Sequence, residues 1–203
     1  MRRFSALALL SAIVAFVAAS PATAGTWKID TAHSVLDFKV RHLFSNTGGQ
    51  FDKWAGTMNF DPADMTKGSV EITIETASIN TRNEDRDNHL RSADFFDAEN
   101  HPTITFVSQK VVKNGEQWEL HGHLTMRGMT KPVVIPFEFH GAGKDPWGNE
   151  RVGFSGELDI NRKDFGIEWN KALDQGGLLL GENVHIDIEI EAMAVADQTQ
   201  AGR

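Results

Sequence analysis

Apolar and polar residues alternate with a period of two along most of this chain, and no other feature constrains its fold as tightly. Leu36, Phe38 and Val40 alternate with Asp37, Lys39 and Arg41, and Val70, Ile72 and Ile74 with Glu71, Thr73 and Glu75. Trp118, Leu120, Leu124 and Met126 stand opposite Glu119, His121, His123 and Thr125. Val133, Ile135, Phe137 and Phe139 form another set, followed by Phe154, Leu158 and Ile160, then Val184, Ile186, Ile188 and Ile190. Side chains two apart share one face of a strand, so each run has a dry face and a wet one. With the segments 51–60 and 104–107 the pattern predicts about eight strands of an antiparallel sheet.

Turn signals separate the runs at Thr47-Gly48-Gly49, Lys67-Gly68, Asn114-Gly115, Arg127-Gly128, Lys144-Asp145-Pro146-Trp147-Gly148 and Gln175-Gly176-Gly177. Asn114-Gly115 suits a two-residue hairpin turn, because both positions tolerate positive φ. Eight strands closing on themselves leave no sheet edge and enclose room for one small ligand. A sandwich with a filled core fits the same alternation. There are no cysteines, so disulfides, thiolate metal sites and cysteine nucleophiles are excluded.

Residues 1–24 stand apart from this pattern. Arg2 and Arg3 precede an apolar run from Phe4 to Ala19, and Ala22-Thr23-Ala24 supplies a small-residue cleavage site before Gly25. That is the layout of a secretory signal peptide. It predicts a mature domain of residues 25–203 that is periplasmic or secreted, with a frayed polar tail from Ala196. The whole chain carries a formal charge of −8, and removing the two arginines makes the remainder more acidic. An acidic chain without basic runs argues against nucleic acid and anionic membrane surfaces as main partners. No stable membrane insertion is expected, and a homodimer stays open.

One segment, from Thr81 to Phe96, breaks the strand rhythm and is predicted to hold one or two short helices, with Ser92 capping the turn that carries Phe95 and Phe96. Its cations Arg86, His89 and Arg91, with Arg41 and His42 from an early strand, suit an anionic head group. Glu84, Asp85, Asp87 and Asp94 are near enough in sequence to neutralise them, which would make the network a brace for the loop. His121 and His123 share a strand face with Glu119, the spacing of a metal site, but that face is the wet one. No nucleophile elbow, H-E-x-x-H or phosphate loop is present, so catalysis is not expected.

Five blocks resemble the YceI family in content and order. They are Trp27-x-x-Asp30-x-x-His33-Ser34, the run from Asn83 to Phe96, Arg127-Gly128-x-Thr130-Lys131-Pro132, Asp145-Pro146-Trp147-Gly148 and Asn161-Arg162-x-Asp164-Phe165-Gly166. Asp30-Thr31 departs from the family, in which proline often follows the aspartate. The resemblance implies an all-β, eight-stranded, lipocalin-like barrel with a helical excursion at residues 81–96. It also implies a secreted protein that holds a polyisoprenoid, a quinone or another long-chain amphiphile, with no other cofactor. Leu36, Phe38, Val40, Ile72, Ile74, Phe106, Leu124, Phe137, Phe154, Phe165 and Trp169 would then line the lipid tunnel, and His42, Arg86, His89 and Arg91 the head-group end. A barrel filled by its own large side chains, drawn from the 13 Phe and 5 Trp of the whole chain, with a partner-binding outer face, is the alternative that sequence leaves open.

Overall fold

The computed structural model describes residues 25–174 and 176–195. The predicted signal segment, the tail from Ala196 and Gln175 of one predicted turn lie outside the described residues. The first half of the fold contains β1 (Gly25–Ile29), β2 (Val35–His42), β3 (Ser45–Phe51), β4 (Trp54–Phe60), β5 (Ser69–Glu75), β6 (Ile79–Asn80) and α1 (Glu84–Arg91). Five longer strands follow: β7 (Thr103–Asn114), β8 (Gln117–Met126), β9 (Met129–Lys144), β10 (Glu150–Asn161) and β11 (Leu180–Ala194).

Strands β1, β4, β5, β7, β8, β9, β10 and β11 close into an antiparallel ring, because β1 pairs with both β4 and β11. The expected barrel of eight strands is therefore what the chain forms. The strand that closes it, β1, is too short to show alternation. Eleven strands appear because three neighbouring ring positions are kinked, dividing β1 from β2, β3 from β4 and β5 from β6. Beyond the kinks the sheet runs β11–β2–β3–β6 and stops at β6. Helix α1 packs on β6, in the sector before β7 resumes.

Turn chemistry fixes the register. Arg127 and Gly128 both take positive φ, 50° and 72°, and join Met126 to Met129 in a two-residue hairpin. The other predicted hairpin turns one residue later than expected. Asn114 pairs with Gln117, so Gly115 and Glu116 form the loop and Asn114 stays in the strand. Gly122 in β8 has a packing role: a Cβ there would lie 2.5 Å from the ring of Phe106 on the neighbouring strand.

The end of the barrel that carries β1 is plugged. Trp27, Ile29, Met58, Phe60, Val152 and Ala192 are buried together, and Trp27 Nε1 donates to Phe60 O at 3.3 Å. The rings of Phe139 and Phe154 sit 5.3 and 5.1 Å from that of Phe60, between centroids. A second buried cluster, including Phe95, Ile104, Phe106, Leu124, Met126 and Phe165, lies toward the helical end.

Candidate functional site

Between these clusters the barrel encloses a cavity of about 700 Å³. That lies in the ordinary size range of pockets that bury a small ligand. The interior is not filled, so the filled-barrel alternative is corrected: the large side chains stand around the space. Their alternation is the cause, since each inward residue has polar neighbours facing water.

Leu36, Phe38, Val40, Ile72, Ile74, Phe106, Leu124, Phe137, Phe154 and Trp169 all line the cavity. Phe165 does not. It is 1 % exposed and packs in the core behind the wall, because the 3₁₀ turn Arg162–Phe165 ends in a left-handed Gly166 that folds the chain back. Phe51, Phe60, Leu90, Phe95 and Phe96 also line the space and were missed. The first two mark the ends of the 51–60 segment, and the others sit on the helical excursion, where a period of two gives no signal.

The helical excursion forms one rim. Asn83 caps α1 by accepting from the Arg86 amide at 2.9 Å, and acids occupy the first turn, where the helix dipole favours them. Ser92 ends this helix, its hydroxyl donating to His89 O at 2.7 Å. It also caps the turn that carries Phe95 and Phe96, accepting from the Asp94 amide at its hydroxyl (3.4 Å) and from the Phe95 amide at its carbonyl (3.1 Å). Asp87 is buried and accepts from the amide and hydroxyl of Thr81 at 2.8 and 2.5 Å. Arg86 donates to the hydroxyl and carbonyl of the same threonine, at 2.7 and 2.6 Å.

His42, Arg86 and His89 reach the cavity, whereas Arg91 does not. Arg91 donates instead to Ala77 O and Ile79 O, at 2.7 and 2.9 Å, and so ties the helix to the end of the sheet. The loop is therefore braced, but its arginines bond to carbonyls and a hydroxyl, not to the neighbouring acids as expected. Among the described residues, the one cation–acid contact within this loop is His89 with Asp94, at 3.0 Å. Asp85 also lines the cavity, so the rim carries both signs of charge.

A further arginine was not singled out by sequence. Arg162 is 4 % exposed, lines the cavity wall and donates to Gly181 O, Ile167 O and Trp169 O at 2.9, 2.7 and 2.8 Å. Burial lowers its pKa from the ordinary arginine value. Its place in the Asn161–Gly166 block was the only sequence signal. Trp169, held by this clamp, packs edge-on against His89 and beside Phe95, with centroids 4.9 and 5.2 Å away.

At the plugged end Arg151 donates to Asp30 and Asp145, at 2.7 and 2.9 Å, and contacts Glu191. The Arg151 bond, aided by His33 at 2.9 Å, holds the Asp30 carboxyl down at about 2. Asp145 is pulled well below the carboxylate range, first by the Asn149 side chain and, against a burial penalty, by Arg151. The five sequence blocks thus sort into two ends. Those at Trp27 and Asp145 brace the floor, and the other three meet around the opposite rim, where Arg127 donates to Gly166 O and to Ala93 O.

Three further histidines have partners that sequence did not reveal. His185 lies 2.9 Å from Asp159 and 3.1 Å from Asp187, which raises its pKa, with Asp159 the larger cause. His140 meets Ser155 at 2.8 Å, and His101 lies 3.9 Å from Asp97. His121 pairs with Glu119 at 2.9 Å on the outer face. Asp30, His33 and Glu191 are close enough to hold a cation, but Arg151 already occupies both carboxylates.

Comparison with known proteins matches this architecture. The model of the YceI-like domain matches residues 27–192. A UPF0312 protein of Vibrio cholerae is 42 % identical over 178 residues, covering 86 % of this chain and 89 % of its own. The crystal structure of the Campylobacter jejuni YCEI protein superposes with a TM-score of 0.67 at 35 % identity, over 82 % of this chain and 96 % of that one. A polyisoprenoid binding domain from Saccharophagus degradans, implicated in plant cell wall breakdown, shares the fold with a TM-score of 0.58 at 16 % identity, over 83 % of this chain and 98 % of that one. From the first buried tryptophan to the last strand of the ring, this chain belongs to the YceI family.

Proposed function

We propose that this protein binds a polyisoprenoid or another long-chain amphiphile inside the barrel, and stores, sequesters or carries it in the periplasm or outside the cell without a chemical step of its own. The observation that carries this reading is the cavity of about 700 Å³, walled by Leu, Ile, Val and Phe and floored by an aromatic plug. Each methylene buried there contributes about 0.8 kcal/mol, so a long chain binds tightly without specific polar contacts. Export rests on the basic start, apolar run and Ala22-Thr23-Ala24 of the first 24 residues. Family membership and the polyisoprenoid binding described for the S. degradans relative support the ligand class.

The rim supports weak head-group selection. Arg86 spends Nε and Nη2 on Thr81, and Asp85 stands beside it, so an anionic head group meets a partly engaged guanidinium and an acid, with His42 and His89 nearby. Binding assays with a chain-length series and a head-group series test the reading together. Shortening a prenyl chain by several units is expected to cost more than Arg86→Ala, which should cost about 1–3 kcal/mol, the range of a charged hydrogen bond. Strict head-group selection with indifference to chain length would overturn it.

A further inference from the structure

The turn between β2 and β3 is built against the usual physics of turns. His42 pairs with Ser45, so the loop is only Leu43 and Phe44, and Leu43 sits in the left-handed region at φ 49°. Two-residue hairpin loops favour glycine and asparagine, and bulky residues pay strain there. Phe44 is also 91 % exposed, the most of any large apolar residue described. Strain and exposed aromatic surface both count against this tip in water.

Its neighbours place it at the rim of the cavity. His42, immediately before it, lines the cavity. The Leu43 amide donates to Leu179 O at 3.0 Å, joining the tip to the segment before β11. Leu179 also lines the cavity, and Leu178 beside it is 50 % exposed. Arg41 Nε donates to Leu43 O at 3.0 Å, which holds a guanidinium against the tip, and Leu179 N bonds to the carbonyl of exposed Lys171. Glu168 and Asp174 are the acids among the described residues of these two loops.

We infer that Phe44, with Leu43 and Leu178, is a membrane-docking tip that enters the interfacial layer of a phospholipid bilayer and brings the cavity mouth against it. This rests on the lipid-binding reading above. A chain leaving a bilayer through water loses about four-fold in partition for every methylene, so a long one needs a direct path from bilayer to barrel. Apolar side chains beside flanking cations are the chemistry of a surface that meets lipid head groups and the first methylenes beneath them. No described helix is long and apolar enough to cross a membrane; the docking proposed is peripheral and reversible.

The absence of cysteine allows a single reporter. Asn46→Cys, exposed two residues from Phe44, is labelled with an environment-sensitive fluorophore and mixed with phosphatidylethanolamine–phosphatidylglycerol vesicles. Trp147→Cys, in the hairpin at the plugged end, is the control. Expected are a blue shift at position 46 and none at 147, and an at least ten-fold (~) loss of vesicle partition on adding Phe44→Ser and Leu178→Ser, since burying one large apolar side chain is worth that much. No vesicle-dependent shift at 46, an equal shift at 147, or unchanged partition in the double variant would overturn the docking tip. Lipid extracted from the same preparations separates the two ideas: protein that holds lipid but shows no shift loses only the docking, and protein that docks but holds none loses only the lipid-binding reading.

Discussion

The imidazole of His89 stands edge-on to the indole of Trp169, with ring centroids 4.9 Å apart and planes at 87°. One ring comes from the helical excursion and the other from the segment before β11, so this pair spans the cavity rim. Trp169→Ala is expected to speed ligand release, because it removes one side of the constriction and its packing on Phe95. The cost in stability should be smaller than for a fully buried tryptophan, roughly 1–3 kcal/mol, as Trp169 is only partly buried. A chase of fluorescent prenyl ligand measures release, and urea unfolding measures stability. Unchanged release would mean that ligands leave elsewhere.

The parity of the strands gives a second test. Ile72 pairs with Phe106 across β5 and β7, and both line the cavity, while Thr73 is exposed. Ile72→Asp should abolish lipid retention and cost several kcal/mol, because it places an unpaired charge in an apolar interior. Thr73→Asp should stay within about 0.5 kcal/mol. Equal effects at both positions would reverse the assignment of faces.

Arg162 should matter as a brace. Its three carbonyl partners lose their donors in Arg162→Met, at an expected cost of about 2–4 kcal/mol. Arg162→Lys should recover little, since an ammonium lacks the planar fork that reaches Gly181, Ile167 and Trp169 together. Urea unfolding of both variants decides it, and full rescue by lysine would show that charge alone suffices.

The plugged end makes stability depend on acid. The Asp30 carboxyl titrates at about 2 in the fold against an ordinary 3.8, so its bonds stabilise the protein above the ordinary value. That contribution is lost as pH falls through the folded value. Thermal midpoints should therefore drop between those two pH values, and the Asp30 part of the drop should shrink in Arg151→Met, with the His33 bond left in place. That variant should also be less stable at neutral pH, by about 1–3 kcal/mol. An identical acid profile in Arg151→Met would exclude Arg151 as the cause.

Much of the barrel was legible because its wall repeats a simple rule. A long strand with one wet face shows alternation when its inward residues are large, so β5, β8 and β11 were plain in the sequence, whereas Thr47-Gly48-Gly49 of β3 read as a turn. The short β1 and β6 were not, and neither were the kinks, which depend on how neighbouring strands meet. In the site, most of the strand-borne lining followed from parity, Phe51 and Phe60 excepted. Phe95, Phe96 and Leu90 could not, because their direction is set by a helix and a turn. Arg91 and Arg162 were illegible for a related reason: both bond main-chain carbonyls, which every residue offers and no sequence pattern marks.

The most direct test is native mass spectrometry of the mature protein purified from its own host, followed by lipid extraction. Expected is one long-chain, largely apolar molecule per barrel, retained through purification and lost in Ile72→Asp. Protein that arrives empty, and stays empty after incubation with prenyl lipids, quinones and fatty amphiphiles, would contradict a lipid-binding role for the cavity.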